Sequence, residues 1–155
     1  MLIRPANVAD VPRVLPLVAR ICALHEQWDA ERFKMIEHPE RQYDGWLRKR
    51  AVDERSVFLI AEKDAAIVAY IVATVEPEIP IYLTPECGYI HDLWVDETYR
   101  NEGVGRQMTM LTIERFKAIG VSQVRLQTAA ANDVSRKLFA SCGFRVASIE
   151  MLART

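Results

Sequence analysis

The sequence predicts an α/β fold, a mixed α+β arrangement in which one sheet carries helices on both faces. Half of the 155 residues are hydrophobic, enough apolar surface for a buried core in a chain of ordinary domain size, so residues 1–155 read as a single domain. Helical and strand periodicities follow one another in the order β-α-α-β-β-β-α-β-α-β, with no internal repeat and no low-complexity segment. The longest helical stretch is apolar on two sides, which calls for cover on both.

Leu2-Ile3-Arg4 reads as a short first strand, and Asn7 followed by Asp10 has the spacing of a helix N-cap with its acidic partner. The helix opened there places Val11, Val14, Leu15, Val18, Ile21 and Cys22 on one face, while Pro12 and Pro16 blur its first turns. A second helix begins near Pro39 with Tyr43, Trp46, Leu47 and Ala51 together, and Asp29 to His38 connects the two. Ser56 to Glu62 and Ala66 to Val75 are β-branched and apolar around Lys63-Asp64-Ala65, which suits an antiparallel hairpin. Glu76 to Glu86 holds three prolines and three glutamates and reads as a loop, after which Tyr89 to Val95 resumes as a strand. Gly103 to Ile119 is the long helix, with Val104, Met108 and Leu111 on one side, Met110, Ile113 and Phe116 on another, and Gly120 at its end. Val124 to Gln127 is a strand, Asn132 to Ser141 a short helix, and Phe144 to Met151 a closing strand.

A formal net charge of −1 argues against nucleic acid as a partner, because capture of a polyanion depends on an excess of Lys and Arg. No apolar run approaches the length needed to span a bilayer, and Met1 to Pro5 lacks the apolar core of a signal peptide, so a cytoplasmic protein with no membrane partner is expected. Cys22, Cys87 and Cys142 are far apart and show no metal-ligand spacing, which reads as reduced thiols and no metal site.

The chemistry concentrates between Tyr89 and Arg106, a strand, a turn and a helix start. The loop from Arg100 to Arg106 presents backbone N–H groups at a helix N-terminus, where they lack intrahelical partners and the dipole favours anions. Gly103 and Gly105 admit a phosphate close to the backbone, and Arg100 and Arg106 add charge on either side; a pyrophosphate fits. The same glycines also serve a plain strand-to-helix turn. GxxxxGK[ST] finds no match and GxGxxG lacks its third glycine, which disfavours a nucleotide hydrolase or a Rossmann dehydrogenase.

Arg100-x-x-Gly103-x-Gly105 after a strand ending in Val95 resembles the [QR]xxGx[GA] signature of the GNAT acetyltransferase superfamily. Asn132 to Phe139 followed by Gly143-Phe144 resembles that family's Asn-bearing helix and its Gly-Phe entry to the next strand. The resemblance implies a mostly antiparallel sheet, splayed between the fourth and fifth strands by a bulge near Leu93, with acetyl-CoA (coenzyme A) in the gap. Leu93, Trp94 and Val95 would offer backbone groups to the pantetheine arm as to a substitute strand. Arg100, Asn101, Glu102, Gly103, Val104, Gly105 and Arg106 would hold the pyrophosphate, and Asn132, Ser135 and Phe139 would complete the cofactor site. Asn132 also suits a helix N-cap.

The implied reaction is transfer of the acetyl group to a primary amine of a small molecule or peptide, by direct attack in a ternary complex. It needs a base for the ammonium and stabilisation of the departing thiolate. His91 and Asp92 match the family's carboxylate position before the bulge, and strand alternation would turn only one of them to the cleft. The tyrosine that commonly protonates the thiolate is replaced by Phe139, which cannot donate a proton and keeps open a non-catalytic acyl-CoA-binding regulatory module. The acceptor site is expected between Leu24 and Ile36 and between Glu76 and Glu86, where Glu26, Trp28, Asp29, Phe33, Glu76, Glu78, Tyr82 and Glu86 would attract an ammonium and pack its stem. The short run after Gly143 leaves a sheet edge, which predicts a homodimer covering it.

Overall fold

The computed structural model describes all residues, Met1–Thr155, in the order β1 (Leu2–Pro5), α1 (Val11–Trp28), α2 (Glu40–Arg50), β2 (Val57–Lys63), β3 (Ala66–Pro77), β4 (Glu86–Val95), α3 (Val104–Ala118), β5 (Val124–Leu126) and α4 (Asp133–Ser141). The five strands lie in chain order in one sheet; neighbours are antiparallel except β4 and β5, which are parallel. Asn7 caps a single 3-10 turn that leads into α1: its side chain accepts from Ala9 N–H, and Asp10 returns a bond to Asn7 N–H at 2.9 Å. Asp64 and Ala65, at φ 51° and 62°, form the tight turn between β2 and β3, whose backbone matches the twist of an antiparallel pair.

β3 is apolar from Ala66 to Ala73 and buried on both faces from Ile67 to Thr74, so it divides the interior into two layers. On one side Val14, Val18 and Ile21 of α1 and Leu47 of α2 meet Phe58, Ile60, Tyr70 and Val72. On the other, Met108 and Phe116 of α3 and Phe139 of α4 meet Ala69, Ile71, Ala73 and Ile90. Removing a ring such as that of Phe116 from water contributes roughly 2–3 kcal/mol.

Three expectations change. The segment from Phe144 to Met151 forms no strand: it leaves Val146, Ile149 and Met151 exposed and is drawn along the α1–α2 connection by ion pairs of Glu150 with Arg32 and of Arg154 with Glu31. A strand needs a ladder partner, and the sheet ends at β5 with no strand paired to this segment. The second change concerns α3, which buries Val104, Met108, Thr109, Thr112 and Phe116 while Leu111 is exposed. Thr109 and Thr112 tolerate burial because their hydroxyls donate to the carbonyls of Gly105 and Met108, one turn back, at 2.8 and 2.9 Å. Third, the bulge in β4 falls at His91 rather than near Leu93: Ile90 pairs with Ala73 and Asp92 with Val72, leaving His91 as the extra residue.

Candidate active site

β5 is short, and its pairing with β4 runs only from Gly88↔Val124 to Ile90↔Leu126. Beyond that point His91 to Val95 continue along β3 with the other edge open, which is the split between fourth and fifth strands. Asp96 N–H donates to Val68 O at 2.8 Å, so by alternation the N–H and C=O of Leu93 and Val95 point away from β3 into the split. Arg100 Nε takes the Val95 carbonyl at 3.0 Å, while its guanidinium lies 5.1 Å from the Trp94 ring centroid. Leu93 is thus the residue whose backbone pair lies open to an incoming extended chain.

The loop after β4 reaches α3 through two left-handed residues, Asn101 at φ 66° and Gly103 at φ 81°. The first bond of α3 runs from Gln107 N–H to Gly103 O at 2.9 Å, so the N–H groups of Val104, Gly105 and Arg106 lack helical partners. The two glycines serve different needs. At Gly103 a Cβ would meet open space, and the requirement is the backbone angle; at Gly105 it would lie 3.2 Å from Leu138 Cδ2 and 3.6 Å from Val95 Cγ2, so the requirement is close packing of α3 on β4 and α4. Asn101, Glu102 and Arg106 are exposed at the mouth, whereas Val104 is buried. Asn132 caps α4 by accepting from Ser135 N–H at 3.0 Å, and Phe139 is buried with its ring 5.4 Å from that of Phe144.

The bulge decides the acceptor side. Without it, alternation would turn His91 and Asp92 to opposite faces; with it, both lie on the α1/α2 face. Asp92 sits near Cys22, Tyr43 and Tyr70, and His91 packs against Trp46 of α2, with ring centroids 5.1 Å apart at 83°. The two neighbours have opposite environments. Burial raises the Asp92 carboxyl to about 6 against the lowering influence of the Tyr43 and Tyr70 hydroxyls, yet no close hydrogen bond satisfies Asp92 Oδ2 or Tyr70 Oη. His91 is open at the bulge, and burial of its ring lowers its pKa below 6.5, while Glu76 pulls it upward and Arg50 pushes it further down.

Thr74 joins His91 to Glu76. Its hydroxyl donates to Glu76 Oε1 at 2.5 Å and lies 2.6 Å from His91 Nε2. The hydroxyl has one proton, so when it goes to the carboxylate, Nε2 carries its own hydrogen and donates it to Thr74. That assignment leaves Nδ1 as the basic nitrogen, and Glu76 Oε1, 3.6 Å from Nε2, stands ready to stabilise the imidazolium. Tyr89 is the remaining neighbour, its ring 5.1 Å from His91.

Of the acids named from the sequence on the acceptor side, only Glu76 reaches the bulge. Glu78 pairs with Arg125 and Glu86 with Arg55; Glu26 accepts from Met35 N–H, and Asp29 accepts from Glu31 and Arg32 N–H at the end of α1. Trp28 and Phe33 both pack on His25, and Tyr82 stands exposed in the loop before β4. Tyr43, Trp46, Tyr70, Thr74 and Tyr89 also reach the site, although each sits where the sequence predicts a core or strand residue. The usable signal was the pair of adjacent polar residues, His91-Asp92, breaking the apolar alternation between Ile90 and Leu93.

Residues 21–144 match the model of the acetyltransferase (GNAT) family. A mycothiol acetyltransferase of Thermobispora bispora is 26% identical over 143 residues, covering 90% of this chain and 44% of that protein. The chain spans less than half the length of the mycothiol acetyltransferases it matches. Among solved structures, a tetramutant of the BH1408 protein of Bacillus halodurans superposes over 100% of each chain with a TM-score of 0.82 and 27% identity. A predicted acetyltransferase of Clostridium acetobutylicum, solved with acetyl-CoA, shares the fold at a TM-score of 0.80 and 17% identity, covering 99% of this chain and 95% of that one. No helix of the chain is long and apolar enough to cross a membrane.

Proposed function

The chain belongs to the acetyltransferase (GNAT) family, and from that premise we propose that residues 1–155 act as one N-acetyltransferase domain that moves the acetyl group of acetyl-CoA to a primary amine by direct attack in a ternary complex. The observation that carries this reading is the meeting, on one strand, of an open backbone pair at Leu93 and a basic imidazole at His91, with the free N–H groups of α3 at the strand's far end. The residues fit the donor: Leu93 would bond the amides of its arm, Val104 to Arg106 its pyrophosphate, and Asn132 and Ser135 would border it from α4.

Bound acetyl-CoA supplies the thioester carbon that the neutral amine attacks. His91 Nδ1 takes the ammonium proton, directly or through one water. Thr74 and Glu76 are positioning residues, holding the tautomer and then the charge of the imidazolium. Asp92, walled in by Tyr43 and Tyr70, does not reach the amine and holds the bulge from beneath. Phe139 stands where a phenol would protonate the departing thiolate, so that proton would come from solvent. The protein would act in the cytoplasm as a homodimer, with a second copy covering the open edge of β5; a monomer in sedimentation velocity would remove that part.

The test is thiol release from acetyl-CoA across a panel of primary amines, with calorimetry of acetyl-CoA alone. Amine-dependent release with an acid limb of kcat/KM below pH 6.5 is expected. Glu76→Gln should move that limb to lower pH, because the carboxylate that raises the His91 pKa is gone. Acetyl-CoA binding without release for any amine would refute the transferase reading in favour of a binding module.

A further inference from the structure

We infer that the acceptor is a primary monoamine carried on an aromatic or apolar body rather than a polycation; this rests on the amine-acetylation reading above. A polycation needs several carboxylates free to face it. The carboxylates of the surrounding loops and of α2 are engaged. Glu78, Glu86 and Glu150 each hold an arginine. Asp44 of α2 holds Arg48, and Glu40 faces His38 Nδ1 at 3.3 Å. Asp92 is enclosed, and Glu76 is spent on Thr74 and His91.

Fixed positive charge adds to this. Arg50 lies 5.9 Å from the Trp46 ring centroid and acts on His91 with a sign that disfavours a second proton. Arg50 has its own counter-ion in Asp53 at 3.5 Å, so an acceptor with one cation, which it loses on reaction, suits this wall better than a polycation, which would retain charges with no free carboxylate to face them.

The walls, by contrast, are aromatic. Trp46 and Tyr89 both pack against the His91 imidazole at 5.1 Å, and both remain partly exposed. At the β4 end away from the α3 loop, Ile79, Ile81, Tyr82 and Leu83 stand exposed in the loop between β3 and β4. Ring faces and aliphatic side chains bind an apolar stem and tolerate a single ammonium.

The experiment compares 2-phenylethylamine, ethanolamine, spermidine and kanamycin as acceptors in the thiol-release assay. We expect kcat/KM for 2-phenylethylamine to exceed that for each of the others by roughly tenfold to a hundredfold, the gain from burying a ring. Trp46→Ala should lower kcat/KM for 2-phenylethylamine far more than for ethanolamine, removing most of that preference, and Trp46→Phe should restore it. A higher kcat/KM for spermidine or kanamycin would overturn the monoamine assignment and leave the transferase reading standing. An unchanged preference in Trp46→Ala, with its melting temperature intact, would overturn the aromatic wall. Release with none of the four, with acetyl-CoA binding preserved, would overturn both readings together.

Discussion

The two halves of β4 build their parts of the site in different ways. From Leu93 onward the working groups are backbone: an open carbonyl and N–H at the strand edge, and the first N–H groups of α3 behind a left-handed Gly103. From Tyr89 to Asp92 the working groups are side chains, assembled with Thr74 and Glu76 of β3 and Tyr43 and Trp46 of α2. A backbone site depends on local chain geometry, which a few contiguous residues specify. A side-chain site depends on register between distant elements, here on one inserted residue at position 91. The first half should therefore respond to backbone changes and the second to single functional groups.

The largest expected effect is in the side-chain half. His91→Ala should lower kcat/KM by about a hundredfold with acetyl-CoA affinity unchanged, since the proposed general base is lost and the open edge at Leu93 is kept. Asp92→Ala affects fold stability first, because a buried group beneath the bulge is removed. If acetyl-CoA affinity collapsed in His91→Ala, the two halves would not be separable.

Next comes the backbone half. Gly105→Val adds branches into a place where even a Cβ lies 3.2 Å from Leu138 and 3.7 Å from Leu93, so it should cost roughly 2 kcal/mol of stability and weaken acetyl-CoA binding at the same time. Gly103→Ala meets open space and pays only for its φ of 81°, about 1 kcal/mol. Thermal melts and calorimetry on both variants separate the two roles; equal behaviour would mean that packing and backbone angle are not distinct at this helix start.

This division also governs how much was legible in sequence. The spacing of Arg100, Gly103 and Gly105 is local and marks the strand-to-helix loop directly, and the order of elements up to α4 follows from apolar periodicity. The α3 stripe was partly hidden because Thr109 and Thr112 look polar and satisfy themselves on the helix backbone. Phe144 to Met151 has strand composition but no partner ladder, a fact that composition does not contain. Tyr43 and Tyr70 look like core aromatics, and only the register at Val72↔Asp92 brings them to the same carboxylate.

Asp92 offers a smaller test that isolates its burial. Its folded-state pKa, about 6, lies above the ordinary 3.8, so the fold favours the protonated acid. The stability this contributes is full below pH 3.8 and is lost as pH rises through about 6. Asp92→Asn cannot ionise, so its melting temperature relative to wild type should rise between pH 4 and pH 8, by the equivalent of roughly 2–3 kcal/mol. A flat difference would show that the carboxylate is compensated in place by Tyr43 and Tyr70.

The smallest effect is expected at Phe139 of α4. Its ring is buried against Phe144 on the α3/α4 side, whereas His91 works from the α1/α2 side. A hydroxyl placed there by Phe139→Tyr must find a partner or lose its hydration, which should cost about 1 kcal/mol of stability. Its effect on rate depends on the limiting step. If deprotonation of the ammonium by His91 limits turnover, a new phenol near the thiolate changes nothing that matters, and kcat/KM should stay within about twofold of wild type across pH. A rise of about tenfold would mean that protonation of the departing thiolate limits turnover. In that case His91→Ala should lose less than its hundredfold, so that measuring both variants, singly and together, decides which half of β4 sets the rate.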